Sequence, residues 1–423
     1  MAARRILLTI IGLLSVVILI GSLGAGVVAF LLITNRPVDQ KLLVLGPNRR
    51  LAIVDRQGVA QVLAEDASPE LFRYPALAPD GSQVAYISQQ GNTSVLRVIH
   101  LQSGTRTELY RSTTNPPLYM VWSPDGRYLS FLSNRGVGGL GVHIVPSDGS
   151  RDAELISVSP SSLYIAWQPN SSSLLLHIGG SIFEDGRVIT VQPGRQQPLH
   201  EVTDPGFFQV PAWSVDGESF FYVAQPPIEG PPTVDKVESV LTRVKVGEMQ
   251  PQVLAREPMA AIIFGRSPQS DEIAYTTVGP DGFGPLKLVT SEGSVRTLSA
   301  TDDDVVAFFW SPDGQQIAYL TPAGRSANGL TQLRWQLVGR NGNNPRTLTM
   351  FTPSQEFLAQ INFFDAYALS FDLWSSDGHA LVYGTNDGVY VFDIRRGTAV
   401  RRSDGVLGMW LPVESVGLGG DRR

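Results

Sequence analysis

From Ile6 to Ile33 the chain runs for 28 residues without a charge, and only Thr9, Ser15 and Ser22 interrupt the apolar pattern. About 20 apolar residues span the hydrocarbon core of a bilayer, so this run predicts a transmembrane helix over 6–33. Arg4 and Arg5 precede it and only Arg36 follows closely. The positive-inside bias then leaves residues 1–5 in the cytoplasm and everything after Thr34 outside, in the periplasm or the extracellular space. Ala25, Val27 and Ala29 imitate a signal-cleavage site, but the apolar run continues past them, which favours an uncleaved single-pass anchor in the cytoplasmic membrane. Gly21, Ala25 and Ala29 recur every four residues, the spacing that lets two membrane helices pack closely. A lipid-facing stripe is the alternative, and self-association stays open.

Past a linker at 34–40 the pattern becomes strand-like. A short apolar strand, usually ending in Trp, leads into a Ser-Pro-Asp-Gly-like turn and then into an alternating apolar strand. Copies begin at Leu77-Ala78-Pro79-Asp80-Gly81, Trp122-Ser123-Pro124-Asp125-Gly126, Trp167-Gln168-Pro169-Asn170 and Trp213-Ser214-Val215-Asp216-Gly217. Others begin at Trp310-Ser311-Pro312-Asp313-Gly314 and Trp374-Ser375-Ser376-Asp377-Gly378, with a degenerate copy at Phe264-Gly265-Arg266-Ser267-Pro268. Asp80, Asp125, Asn170 and Asp216 stand 45, 45 and 46 residues apart, close to the roughly 40–45 residues of a four-stranded propeller blade. Gly accepts positive φ and the Asp carboxylate bonds the backbone two residues on, so each copy reads as a hairpin that opens a sheet of four short strands. One such sheet leaves a face bare and edges unpaired, whereas sheets stacked radially in a closed ring cover one another. Lys41 to Leu45, Arg50 to Asp55 and Ala60 to Leu63 read as three strands with no opening strand before them, and Val406 to Pro412 as an opening strand with nothing after it. Joined, the two ends complete a further blade. The reading is an all-β propeller over 41–413, eight blades favoured and seven the alternative, with a flexible tail at 414–423.

The Trp-Ser-Pro-Asp-Gly motif followed by Ile-Ala-Tyr, as from Trp310 to Tyr319, resembles the WD40-like repeat of the TolB-type propeller family, and the resemblance covers nearly all of the chain after the anchor. It implies a propeller and is nearly silent on function. Proteins of the TolB type carry a small α/β domain before the propeller, whereas here strands follow the anchor directly. A single-pass anchor ahead of an eight-bladed propeller is also similar to the dipeptidyl-peptidase family of membrane serine peptidases, whose α/β-hydrolase domain has no counterpart in this sequence.

Composition narrows the chemistry. Charged residues make up 17% of the chain, net charge is −6, and Lys occurs only at 41, 236, 245 and 287, so neither a disordered polyelectrolyte nor a nucleic-acid-binding face is expected. Without any Cys, disulfides, thiolate nucleophiles and Cys-based metal sites drop out. The chain has no Gly-x-Ser-x-Gly elbow, Walker loop or His-Glu-x-x-His, and no Gly-x-Gly-x-x-Gly between a strand and a helix, so hydrolase, NTP, zinc-protease and dinucleotide readings lack their anchors. His143 and His177 sit in apolar strand patterns and read as hydrogen-bonded structural imidazoles. Asp302-Asp303-Asp304 lacks the spacing of a calcium loop and reads as solvated acids. No cofactor and no metal site is expected.

Two features stand out as candidates for recognition. The segments that enter the innermost strands gather Arg73, Tyr74, Tyr119, Tyr164, Phe208, Asp304, Phe371 and Asp372 at the mouth of the central channel. Aromatic rings mixed with charges suit a binding rim, packing between blades being the alternative. The second feature is the interval from Asp313 to Asp377, 64 residues long and so about 20 longer than the period. Within 351–371, Thr352-Pro353-Ser354-Gln355 has the form of a capping box with Pro at the first helical position. Phe357, Leu358, Ile361, Phe364 and Ala368 then share one helical face, followed by Asp365-Ala366-Tyr367-Ala368. This reads as an amphipathic helix that is either offered to a partner or plugs the mouth. The expected function is a non-enzymatic module of a bacterial cell envelope that holds a protein partner through rim and insertion. The alternative is a channel enzyme or sensor acting on glycans or peptides, with Asp304, Asp365 and Asp372 as its working acids.

Overall fold

Three residue types build each blade-opening turn, and each has a separate task. The computed structural model describes residues 40–63, 71–181, 184–195, 200–203, 210–226, 238–248, 250–362, 364–366 and 371–412. At Asp80, Asp125, Asn170, Asp216, Asp313 and Asp377 the side-chain oxygen accepts the backbone N–H two residues on, at 2.9–3.0 Å. The hydroxyls of Ser123, Ser214, Ser311 and Ser375 donate to those carboxylates at 2.5–2.7 Å. Gly follows with φ between 65° and 72° at 81, 126, 217, 314 and 378, and where the copy has no Gly, Ser171 takes φ 61° in its place. Only Gly enters that region without steric cost, which is why it recurs.

Each turn connects an inner strand to its neighbour, and the described strands form eight sheets. In chain order, blade 2 spans 71–112, blade 3 117–159, blade 4 163–203, blade 5 212–258, blade 6 261–297 and blade 7 307–351. Blade 8 runs over 373–403, its inner strand held by the Trp374↔Leu381 bridge and by Val382 N donating to Leu373 O at 2.9 Å. Blade 1 is shared between the chain ends. Leu42–Leu45 pairs on one side with Leu51–Val54 and on the other with Leu407–Trp410, in the register Leu42↔Trp410 to Leu45↔Leu407. Leu411 N donates to Lys41 O at 2.9 Å just beyond this ladder. The expected closure from both termini is present, and the count is eight, not seven.

In blades 3, 4, 5, 7 and 8 the recurrent Trp fastens the blade to the one before it. Trp122, Trp213, Trp310 and Trp374 donate their indole N–H to the carbonyls of Ala76, Ala166, Gly265 and Phe309 at 3.0–3.1 Å, and Trp167 donates to Ser130 Oγ at 2.9 Å. The five rings are at least half-buried. An indole that removes on the order of 200 Å² from water contributes several kcal/mol, so packing outweighs the hydrogen bond in energy while the bond fixes the ring's direction. The degenerate copy needs a correction. Arg266, which pairs with Ile273 as Trp310 pairs with Ile317, occupies the Trp position; Phe264 does not. Its guanidinium donates to the carbonyls of Ser267 and Ser270 instead of reaching the preceding blade.

The insertion is also shifted from its sequence reading. One helix, here α1, spans Gln355–Ile361; its N-cap is Ser354, whose Oγ accepts Phe357 N at 3.1 Å. Thr352 is not the cap, and Pro353 lies before the helix in a bridge to Thr385. Ser354 Oγ bonds Val406 O at 2.5 Å, so one hydroxyl starts the helix and ties it to the closing segment. The 6–33 segment with Gly21, Ala25 and Ala29, and also Phe208, Ala368 and the tail, lie outside the described residues. Among the described residues no helix is long and apolar enough to cross a membrane.

Candidate functional site

Antiparallel alternation fixes where loops fall. Inner strands begin at one end of the channel, the Asp-Gly turns lie at the other, and the second strand returns to the first end, here called the mouth. The 351–371 insertion joins the outer strand of blade 7 to the inner strand of blade 8 and so starts at the mouth.

It reaches across. Phe364 packs on Phe308 and Phe309 of blade 7, with ring centroids at 5.0 and 6.0 Å. Two residues later, Ala366 is 2% exposed and belongs to the apolar cluster of blades 3 and 4 that includes Leu132, Leu163 and Tyr164. Blades 3 and 4 stand opposite blades 7 and 8 in a ring of eight. Arg49, from the blade 1 hairpin, pairs with Glu356 of α1 at 2.7 Å and holds the near end of the crossing.

Beneath the crossing lies a cavity of about 340 Å³ that follows the inner strands of blades 6, 7 and 8 from Phe371 to Pro312. Its wall is aromatic, with Phe264, Phe308, Phe309, Trp310 and Trp374, and its polar groups are Asp365, Asp372 and Arg266. Asp365 is half-buried, and burial pushes its carboxyl up to about 6. Asp372 keeps contact with solvent, but within the channel the surrounding protein displaces bulk water, and this also pushes its carboxyl up to about 6. Burial raises the Tyr164 phenol, and the nearby Asp365 charge adds to the rise. Burial lowers Arg266, with Asp271 acting in the opposite sense.

Four expected residues, Phe364, Asp365, Phe371 and Asp372, therefore meet in one cavity. Phe364 and Phe371 are 6% and 7% exposed and act as wall, not as a free rim. Phe357 is fully buried between Trp335, Phe351 and Phe371, so it anchors α1 in the core and is no recognition residue. Tyr164 is buried on blade 4 behind Asp365. Asp304 is exposed, its carboxylate lies near Gly282 of blade 6, and it does not line the cavity. Arg73 and Tyr74 line a separate cleft between blades 2 and 3, where Tyr119 packs on Tyr74. Sequence reasoning missed Arg266 as a cavity residue. The signal was present, because a charge in the Trp position breaks the repeat.

His143 is structural as expected. It stacks on Phe131 at 4.8 Å, Ser133 Oγ lies 2.9 Å from its Nε2, and burial, then Arg135, lowers it to about 4. Among the described residues no group of three His, Asp or Glu suits a metal ion.

No family model matches the chain, and no curated protein matches it in sequence. Solved structures do. A prolyl endopeptidase superposes with a TM-score of 0.53 at 12% identity over 81% of this chain and 50% of its own length. The C-terminal WD40 domain of Sif2 gives 0.49 at 15%, covering 77% and 82%, and a protein described as TolB from Agrobacterium tumefaciens gives 0.40 at 14%, covering 89% and 99%. The described residues form an eight-bladed β-propeller, and the prolyl endopeptidase superposition agrees with that fold. At these identities the likeness is one of fold, and function has to be argued from the site.

Proposed function

We propose that this propeller is a binding or scaffolding module of the cell envelope, tethered by a membrane helix at 6–33, with its mouth face outside the cytoplasm holding a protein partner. The observation that carries this reading is the crossing at 364–366. It lays residues 364–366 across the mouth near α1, whose Gln355, Ala359 and Asn362 are exposed. Insertions in repeat folds gather on one face, often the binding face. In a mild detergent the full chain is expected to co-purify with a stoichiometric partner. Ala359→Arg with Asn362→Arg, two exposed changes, should release that partner without altering thermal unfolding. Recovery of the bare protein would overturn the reading, and loss of the chain from membranes after an alkaline wash would overturn the tether.

A second reading, a channel enzyme, has one observation in its favour. Asp365 and Asp372 share a cavity and burial holds both near 6, so each can give or take a proton close to neutral pH, as a general acid or base must. Its substrate would enter from the end that carries the Asp-Gly turns. Turnover of a glycan or peptide that disappears in a folded Asp372→Asn variant would place this reading first.

A further inference from the structure

The cleft between blades 2 and 3 lies at the mouth, apart from both the channel cavity and α1. It encloses about 460 Å³ and is lined by Arg73, Tyr74, Gln89, Asn92, Ser94 and Thr113, together with the apolar edge of Ile87, Pro116, Pro117 and Leu118. Cavities of this size take small molecules more readily than folded partners.

Its aromatic element is placed by unusual backbone. Tyr74 and Tyr119 occupy equivalent positions on neighbouring inner strands, each at an irregularity in the strand register. Both adopt left-handed φ, 50° and 34°, a conformation that costs a non-glycine residue on the order of 1–2 kcal/mol. Bulges re-aim side chains, and such outliers collect where a side chain must face a ligand. Here the result is that Tyr119 backs Tyr74, with ring centroids 5.0 Å apart. Burial, then the neighbouring Tyr74, raises the Tyr119 phenol to about 12, so it stays a neutral donor.

The polar lining is also set in advance. Ser94 Oγ donates to Gln89 Oε1 at 2.7 Å, and Gln89 Nε2 donates to Gly91 O at 2.8 Å. Among the described residues the lining holds one cation and no carboxylate, and Arg73 is exposed with no ion pair. A single guanidinium matches one carboxylate, bound in fork geometry; a polyphosphate would call for more positive charge. Neutral amides and hydroxyls match a hydroxyl-rich ligand, and a tyrosine face stacks on the C–H face of a sugar ring.

We propose that this cleft binds an acidic saccharide of one or two rings, with its carboxylate on Arg73, a ring face on Tyr74 and hydroxyls on Gln89, Asn92 and Ser94. The proposal is independent of the protein partner and of the membrane tether, so failure of either leaves it standing. The test is titration calorimetry of the full chain in detergent with a glucuronic acid–N-acetylglucosamine disaccharide, its methyl ester and trialanine as a peptide carboxylate. The acid should bind with a millimolar or tighter Kd. The methyl ester should bind at least tenfold more weakly. Arg73→Gln should weaken the acid at least tenfold and leave the ester unchanged, and Tyr74→Leu should weaken both. Arg73→Gln removes an exposed group and keeps the fold, which thermal unfolding verifies. No heat up to about 10 mM disaccharide, equal binding of acid and ester, unchanged binding in Arg73→Gln, or trialanine binding as tightly as the sugar would each overturn the proposal.

Discussion

At the scale of single residues, the tryptophans divide into two kinds. Trp213 and Trp310 donate to carbonyls of the preceding blade, whereas the Trp410 indole N–H has no hydrogen-bond partner among the described residues and is buried. Trp→Phe at 213 or 310 leaves a half-buried acceptor unmet and should cost about 1–3 kcal/mol in urea unfolding beyond the loss of area. Trp410→Phe loses no bond and should cost visibly less. Equal losses at the three positions would show that the hydrogen bonds are incidental to packing. The channel acids give a pH effect whose sign follows from their raised pKa. An unfolded Asp titrates near 3.8 and the folded Asp372 near 6. The folded state therefore keeps its proton longer, and the stability linked to it is full below about 4 and lost as pH rises through 6. Asp372→Asn should melt higher than wild type at pH 7, and the gap should close by about pH 4. An unchanged gap across that range would remove the case for a shifted carboxyl. The turn residues were legible in the sequence because a turn of fixed geometry admits few side chains, and Asp, Ser and Gly each satisfy a local requirement. Whether a given aromatic faced solvent was not legible. Phe357 and Tyr74 carry the same kind of local pattern, and only the opposing blades decide that the first is core and the second lines a cleft.

At the scale of elements, α1 is seven residues long, too short to persist by propensity alone. Its stability comes from three attachments: the Ser354 cap, the Phe357 and Ile361 face in the core, and the Arg49–Glu356 pair. The ion pair is partly exposed and contributes little. The cap is the sharper test, since Ser354→Ala removes both the Phe357 N bond and the tie to Val406. A loss of about 1–2 kcal/mol is expected, with amide exchange across 355–361 rising more than exchange in blade 3. Uniform exchange would mean that the helix does not open by itself. The excess length between Asp313 and Asp377 announced an inserted element, and its apolar spacing gave the buried Phe357 and Ile361, but the helix ends at Ile361, so Phe364 lies beyond it and not on the expected longer helical face. The start was misplaced by two residues because Thr352 and Ser354 are both good caps, and the choice between them depends on Val406, far away in sequence. The destination of the crossing was equally out of reach, since nothing near Ala366 encodes the wall of blades 3 and 4.

At the scale of the whole molecule, the two chain ends meet in a four-residue ladder, Leu42–Leu45 against Leu407–Trp410. Leu407, Met409 and Trp410 are 1–5% exposed. Removing buried side chains of this size costs roughly 2–5 kcal/mol each, and their sum rivals the roughly 5–15 kcal/mol that stabilises a typical domain. A chain ending at Gly405 should therefore lose its cooperative thermal transition and elute as an aggregate in size-exclusion chromatography, because Leu42–Leu45 becomes a bare apolar edge. A monomeric truncated chain with native melting would show that the ladder is dispensable. The blade count was readable from the period together with the unmatched strands at each end, since a half-blade at both termini has only one economical solution.

Because Lys41 and Leu411 already share a hydrogen bond, the wheel has no structurally privileged starting point. Linking Pro412 to Gln40 by a few residues and opening new termini at the Gly91 hairpin would give a circularly permuted polypeptide with every blade intact. The order in which the ribosome emits the sectors is thus not part of the instruction for their assembly.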